Sequence, residues 1–166
     1  SNNVKVHGVD INPKVVETIN KGEIHIVEPA LDEAVASAVK NGYLKAATTP
    51  VEANTYIIVV PTPFKGKNEP DISIVEAATK AVIPLLKDGD LYIIESTFPI
   101  GTTEKMMGLI YSSRPELTNN IYMAYCPERV LPGNVMHELV HNDRVIGGLN
   151  EASTQKAMAF YHKHVK

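Results

Sequence analysis

The sequence predicts a doubly wound α/β fold, and two observations carry the prediction. Strand-like and helix-like segments alternate along the chain, and Tyr56-Ile57-Ile58-Val59-Val60 is a continuous apolar run. Such a run is the pattern of a strand covered on both faces within a parallel sheet. The first strand is expected over residues 4–9. Asn12-Pro13 then supplies a cap and a first-turn proline for a helix that carries Val15, Val16 and Ile19 at helical spacing. A second helix is expected over 31–40 and a short strand over 44–48. Past the 56–60 strand, Ser73 and Glu76 have the spacing of a capping box, ahead of a helix whose Val75, Ala78, Val82, Leu85 and Leu86 share one face. The next buried strand is 91–94. A helix over 102–111, a strand over 121–125, a short strand over 144–146 and a helix from 151 onward complete the alternation. No internal repeat, low-complexity tract or linker interrupts it, so residues 1–166 read as one domain.

Composition narrows the function classes. Sixteen Lys plus Arg against nineteen Asp plus Glu give a net charge of −3. No basic cluster of the kind that tracks phosphate backbones is present, which argues against nucleic acid as a partner. A single cysteine, Cys126, excludes an intrachain disulfide framework, and no apolar run approaches the roughly 18 residues that suggest a membrane span. The polar opening Ser1-Asn2-Asn3 is not that of a signal peptide. A cytoplasmic, reducing setting is expected.

The most conspicuous short string is "HELVH", residues 137–141. It matches H-E-x-x-H, in which two His one helical turn apart bind zinc and the Glu activates water. The string falls between Pro132-Gly133 and Asn142-Asp143, which leaves room for only a short helix. A third ligand would have to come from His162 or His164, on a helix near the chain end. Packing of Leu139 and Val140, with both His on the outer side, accounts for the string without a metal, and no metal site is expected.

In an open α/β sheet, ligands bind beyond the carboxyl ends of the parallel strands. Those ends read Asp10, then Pro61-Thr62-Pro63, then Glu95-Ser96-Thr97-Phe98-Pro99, then Cys126-Pro127-Glu128-Arg129. In a Rossmann-like dinucleotide-binding fold, an acidic residue ending the second strand accepts hydrogen bonds from the adenosine ribose. It lies about 20 residues beyond a G-x-G-x-x-G turn. Asp10 is ten residues into this sequence, and none of its ten glycines forms that motif. The first strand and the glycine-rich turn are therefore expected upstream of Ser1. A carboxylate at Asp10 disfavours a 2′-phosphate, so NAD is the expected cofactor. Cys126, ending a buried strand, reads as a small hydrophobe rather than a nucleophile.

The segments "GVDINPKVVETINKGEIHIVEP", "VPTPFKG", "EPDIS", "ESTFPIGTTEK" and "CPERVLPGNVM", followed by "ELVHNDRVIGG", resemble the cofactor domain of the UDP-glucose/GDP-mannose dehydrogenases. Within that family the likeness is greatest to the branch acting on UDP-N-acetyl-D-mannosamine. The resemblance runs over essentially the whole chain. It implies an NAD-dependent four-electron oxidation of the C6 hydroxyl of a UDP-sugar to a carboxylate, for surface polysaccharide. It also implies site residues. Asp10 would hold the adenosine ribose with Lys14 near it, and Thr62 and Thr97 would contact the cofactor. Glu128 would be the catalytic carboxylate, positioning or deprotonating the water that hydrolyses a thioester intermediate, and Arg129 and Val130 would line the sugar nucleotide. The family's nucleophilic cysteine, in a "GGHC" segment, its central helix and its UDP-sugar-binding domain have no counterpart in this sequence. The resemblance thus implies that these 166 residues are part of a larger homo-oligomeric enzyme, inactive alone. A UDP-N-acetylglucosamine or UDP-glucose dehydrogenase, and a non-catalytic nucleotide-binding domain, are the alternative readings.

Overall fold

A computed structural model of the protein describes residues 4–66 and 69–163. In chain order the elements are β1 (Val6–Val9), α1 (Pro13–Asn20), α2 (Leu31–Lys40), β2 (Leu44–Ala47), β3 (Thr55–Ile58), β4 (Phe64–Lys65), β5 (Glu69–Pro70) and α3 (Ser73–Val82). They continue with β6 (Leu91–Ile94), α4 (Thr102–Ser113), β7 (Tyr122–Tyr125), α5 (Val135–His141), β8 (Gly147–Gly148) and α6 (Glu151–Tyr161). The alternation read from the sequence is therefore present, and the fold is α/β with mainly parallel pairing. The short antiparallel hairpin of β4 and β5 was not foreseen. Among the described residues no helix is long and apolar enough to cross a membrane. The described residues form two compact units, one of 4–51, 130–142 and 163, the other of 52–66, 69–129 and 143–162.

In the first unit β1 and β2 pair in parallel, Val6 opposite Leu44 and Val9 opposite Ala47, joined through α1 and α2. Asn12 caps α1 as its sequence position suggests, its side chain accepting from the Lys14 amide at 3.0 Å. At the other end of α1, the Asn20 amide group makes a two-way bond with the Ala46 backbone, at 2.8 and 2.9 Å. The helix end is thereby fixed to the middle of β2.

The second unit is built around β6, which pairs in parallel with β3 on one side and β7 on the other, while β8 closes the edge antiparallel to β7. All four β6 residues are buried. Side chains alternate across a strand, so Tyr92 and Ile94 join Tyr56, Ile58 and Met123 in one cluster with Val75 and Val82 of α3 and Met106 and Ile110 of α4. The buried Thr79 hydroxyl lies 2.6 Å from the Tyr92 hydroxyl and donates to the Val75 carbonyl, so the phenol enters the core with a partner. Leu91 and Ile93 face the opposite side, where α6 packs on β6 and β7. The register of α6 is fixed by Asn150, whose side chain accepts from the Ser153 amide at 2.8 Å, and by the Ser153 hydroxyl, which accepts from the Met123 amide at 3.1 Å.

Three expectations need correction. The apolar run over 56–60 is covered on one face only: Tyr56 and Ile58 are buried, but Ile57 is 39% and Val59 66% exposed. Both belong to the face on which α6 packs, and α6 packs mainly on β6, β7 and β8 rather than on β3. Ser73 does not cap α3; the Asp71 carboxylate accepts from the Ser73 amide at 2.9 Å instead, and Glu76 pairs with Lys105 at 2.8 Å. Hydrogen bonds from Lys65 and Ser73 hold Asp71 well below the usual carboxylate range, at about 2. Finally, residues 144–146 form no strand, and the pairing with β7 is made by Gly147 and Gly148. A Cβ on Gly148 would lie 2.3 Å from the Thr154 backbone nitrogen. Only glycine lets β8 and the start of α6 approach this closely. Gly148→Ala should therefore destabilise the protein by about 1–3 kcal/mol, read as a fall in the denaturant midpoint; an unchanged midpoint would contradict the close approach.

Candidate functional site

Because β3, β6 and β7 are parallel, their carboxyl ends lie on the same edge of the four-stranded sheet. Three of the four chemically suggestive clusters of the sequence meet there. The strand ladder continues past the strands themselves: Glu95 N donates to Ile58 O at 3.0 Å, Cys126 N to Ile94 O at 2.9 Å, and Glu128 N to Glu95 O at 2.9 Å. The Val60 amide is bound by the Ser96 hydroxyl at 2.7 Å. Loop residues that begin beyond regular structure are thus held by the sheet that precedes them. Thr62 is half-buried, and Thr97 and Arg129 are exposed.

Asp10, Lys14 and Val130 belong to the other unit. Asp10 follows β1 and is half-buried; its Oδ1 accepts from the Asn12 amide at 2.8 Å, which orients the carboxylate at the turn into α1. An acidic side chain ending a parallel strand before a helix fits the hydroxyls of a nucleotide ribose. Lys14 is exposed in the first turn of α1. Val130 is half-buried and lies in a segment tied down at Gly133, whose amide is 2.9 and 3.0 Å from the two carboxylate oxygens of Glu28.

Around Glu128 the structure adds residues that sequence reasoning did not single out. Strand alternation that places Leu91 and Ile93 against α6 carries Glu95 to the same face, and there the Tyr161 hydroxyl, from the last turn of α6, donates to it. Arg144 Nη1 lies 3.8 Å from Glu95 and 3.3 Å from Glu128, and its guanidinium sits over the Tyr161 ring at 5.0 Å. Glu128 Oε1 also accepts from the Arg129 amide at 2.6 Å. The Arg144, Glu95 and Glu128 side chains are 12%, 15% and 29% exposed, so this charge network is shielded from solvent and only weakly screened by salt. Burial pushes the Glu95 carboxyl up, against the lowering effect of the Tyr161 hydrogen bond and the Arg144 charge. Burial, then the bond to Glu95, raises the Tyr161 phenol. Cys126 is fully buried beside them, and burial raises its thiol; a thiol kept protonated is not a nucleophile. A carboxylate on a buried face demands a donor or a cation, and that demand was visible at Glu95. The identity of the partners, 49 and 66 residues further along, was not.

The residues of "HELVH" form α5. The His137 and His141 rings stack with centroids 4.2 Å apart, and His141 Nδ1 lies 2.8 Å from the His137 carbonyl oxygen. Glu138 accepts from the Leu131 amide at 2.9 Å and from Asn142 at 3.2 Å, and the Leu131 bond chiefly lowers its pKa. Its carboxylate organises the loop before α5. Among the described residues no group of three or more His, Cys, Asp or Glu could hold a metal ion. His162 follows α6, and His164 lies outside the described residues.

The raised pKa of Glu95 has a definite sign in stability. A carboxyl whose folded pKa exceeds its unfolded value contributes stability that is fully present below the unfolded pKa and lost as pH rises through the folded one. Glu95→Gln does not titrate. The stability difference between this variant and the wild type should move in the variant's favour as pH rises from about 4 to about 7, followed by thermal unfolding at each pH. Parallel stability curves would contradict this.

The family model for the NAD-binding domain of the UDP-glucose/GDP-mannose dehydrogenases matches residues 1–165. A UDP-N-acetyl-D-mannosamine dehydrogenase of Salmonella typhi is 55% identical over 95% of this chain, and an NDP-N-acetyl-D-galactosaminuronic acid dehydrogenase of Ralstonia nicotianae is 48% identical over 98%. The matches cover 39% and 40% of those proteins, so the chain spans about two fifths of the curated relatives' length. The solved structure of a UDP-D-ManNAc dehydrogenase from Pyrococcus horikoshii superposes with a TM-score of 0.92 at 39% identity, covering 99% of this chain and 40% of that one. The chain belongs to the UDP-glucose/GDP-mannose dehydrogenase family, of which it is an NAD-binding domain.

Proposed function

We propose that this chain is the cofactor-binding part of an enzyme that oxidises the C6 hydroxyl of UDP-N-acetyl-D-mannosamine to the carboxylate of UDP-N-acetyl-D-mannosaminuronate, for surface polysaccharide. The observation that carries the reading is the 55% identity to a UDP-N-acetyl-D-mannosamine dehydrogenase across nearly the whole chain. Since that match covers 39% of the relative, the reading assigns the glycine-rich turn, a central helix, the nucleophilic cysteine, a UDP-sugar-binding domain and homo-oligomer contacts to the rest of the enzyme.

Within this chain the reading gives each site residue a task. Asp10 accepts hydrogen bonds from the adenosine ribose and repels a 2′-phosphate, with Lys14 beside it. Thr62 and Thr97 offer hydroxyls to the cofactor at the carboxyl ends of β3 and β6. Bound NAD supplies the hydride acceptor. Glu128 holds, and takes a proton from, the water that releases the acid product. Arg129, exposed where Arg144 is enclosed, turns its donors to the sugar nucleotide together with Val130.

The complete enzyme should form NADH from UDP-N-acetyl-D-mannosamine, at twice the molar amount of sugar consumed, and at lower kcat/KM from UDP-N-acetylglucosamine, UDP-glucose and UDP-N-acetylgalactosamine. Preference for one of the latter would move the chain to another branch, and no NADH from any would leave it a nucleotide-binding domain without this chemistry. Glu128→Gln should lower kcat by roughly a hundredfold or more with little change in KM for NAD. Undiminished turnover would remove Glu128 from the reaction.

A further inference from the structure

We propose that Arg144 is the positioning residue for Glu128: its guanidinium, braced by Glu95 and the Tyr161 ring, fixes the direction of the Glu128 carboxylate. The proposal rests on the reading of Glu128 as the carboxylate beside the reacting carbon. Glu128 lies three residues beyond β7, where a loop side chain would otherwise choose among several rotamers. Its backbone N–H donates a hydrogen bond to Glu95 O at 2.9 Å. Its two carboxylate oxygens are then addressed separately, Oε1 by the Arg129 amide at 2.6 Å and Oε2 by Arg144 at 3.3 Å. A carboxylate bound from two sides keeps one orientation.

Arg144 is suited to this task because it is itself enclosed. Only 12% of its side chain is exposed, against 29% for Glu128, and its guanidinium lies over the Tyr161 ring at 5.0 Å and 3.8 Å from the second carboxylate, Glu95. Glu95 is in turn held by the Tyr161 hydroxyl. The chain of contacts runs from the α6 packing face, through Tyr161 and Glu95, to Arg144 and so to Glu128. Arg144 is too enclosed to bind substrate, so it acts through Glu128. A lysine would keep the charge but lose the planar group that lies over the Tyr161 ring, and would restore the arrangement only in part.

The test is a double-mutant cycle in the complete enzyme with NAD and UDP-N-acetyl-D-mannosamine. Arg144→Met should lower kcat roughly ten- to a hundredfold, leave KM for NAD nearly unchanged, and displace the acidic limb of the pH profile. Arg144→Lys should recover part of the loss. In a Glu128→Gln background, neither substitution should lower kcat further. If Arg144→Met does not fold, Arg144→Lys completes the cycle. An equal loss from the Arg144 variants in both backgrounds would make the residue merely structural and overturn the proposal while leaving Glu128 in its role. Wild-type kcat in Glu128→Gln alone would overturn the reading of Glu128, and the proposal with it.

Discussion

The architecture of the second unit follows from one constraint, the burial of β6 on both faces. Four successive apolar side chains in an extended strand point alternately to two sides, so Leu91–Ile94 can be removed from water only if a strand lies on each edge and helices on each face. α3 and α4 supply one cover, and α6 the other. Parallel neighbours place the carboxyl ends of β3, β6 and β7, and the loops that follow them, on one edge of the sheet. The same constraint explains the exposed Ile57 and Val59: β3 has its cover on one face only, and the alternation that buries Tyr56 and Ile58 leaves the other pair in solvent.

The alternation does not stop where the apolar residues do. It carries Glu95 onto the α6 side, where a carboxylate must find donors or take up a proton. Tyr161 and Arg144 meet it there, at opposite ends of the segment that makes β8 and α6. Removing such a group from water costs several kcal/mol per ion unless geometry and hydrogen bonds offset it. One guanidinium shared by two carboxylates offsets part of it and leaves Glu95 with a raised pKa. The packing of α6 and the orientation of Glu128 are therefore the same structural problem. Gly148, which lets α6 begin so close to β8, belongs to the site as much as the charged residues do.

Much of this was legible in the sequence, wherever the cause was local. The β6 run, the Asn12 cap, the extent of α2 and the short helix at "HELVH" each depend on neighbours within a few residues, and each is observed. The spacing assigned the cap to Ser73, but Ser73 is the first residue inside α3, with Ile72 at the N-cap, and its own amide is bound by the Asp71 carboxylate. Residues 144–146 look like a strand by composition, yet the pairing with β7 is made by Gly147 and Gly148, while Arg144 lies beside Glu95 and Glu128. Whether the second face of β3 is covered depends on the length of α6, which no pattern within 56–60 records. The partners of Glu95 and Glu128 are separated from them by 16 to 66 residues, and chemistry assembled over that distance is set by the fold rather than by any motif.

The claim at the centre of this account is that a loop carboxylate is aimed by a guanidinium fixed against α6. A crystal structure of the complete enzyme with NAD and UDP-N-acetyl-D-mannosamine bound tests it most directly. The account predicts the Glu128 carboxylate within about 3 Å of the sugar C6 oxygen or of a water beside it, with Arg144 still bridging Glu128 and Glu95 over the Tyr161 ring. Glu128 turned away from C6, or Arg144 released from it and pointing at the sugar nucleotide, would contradict it.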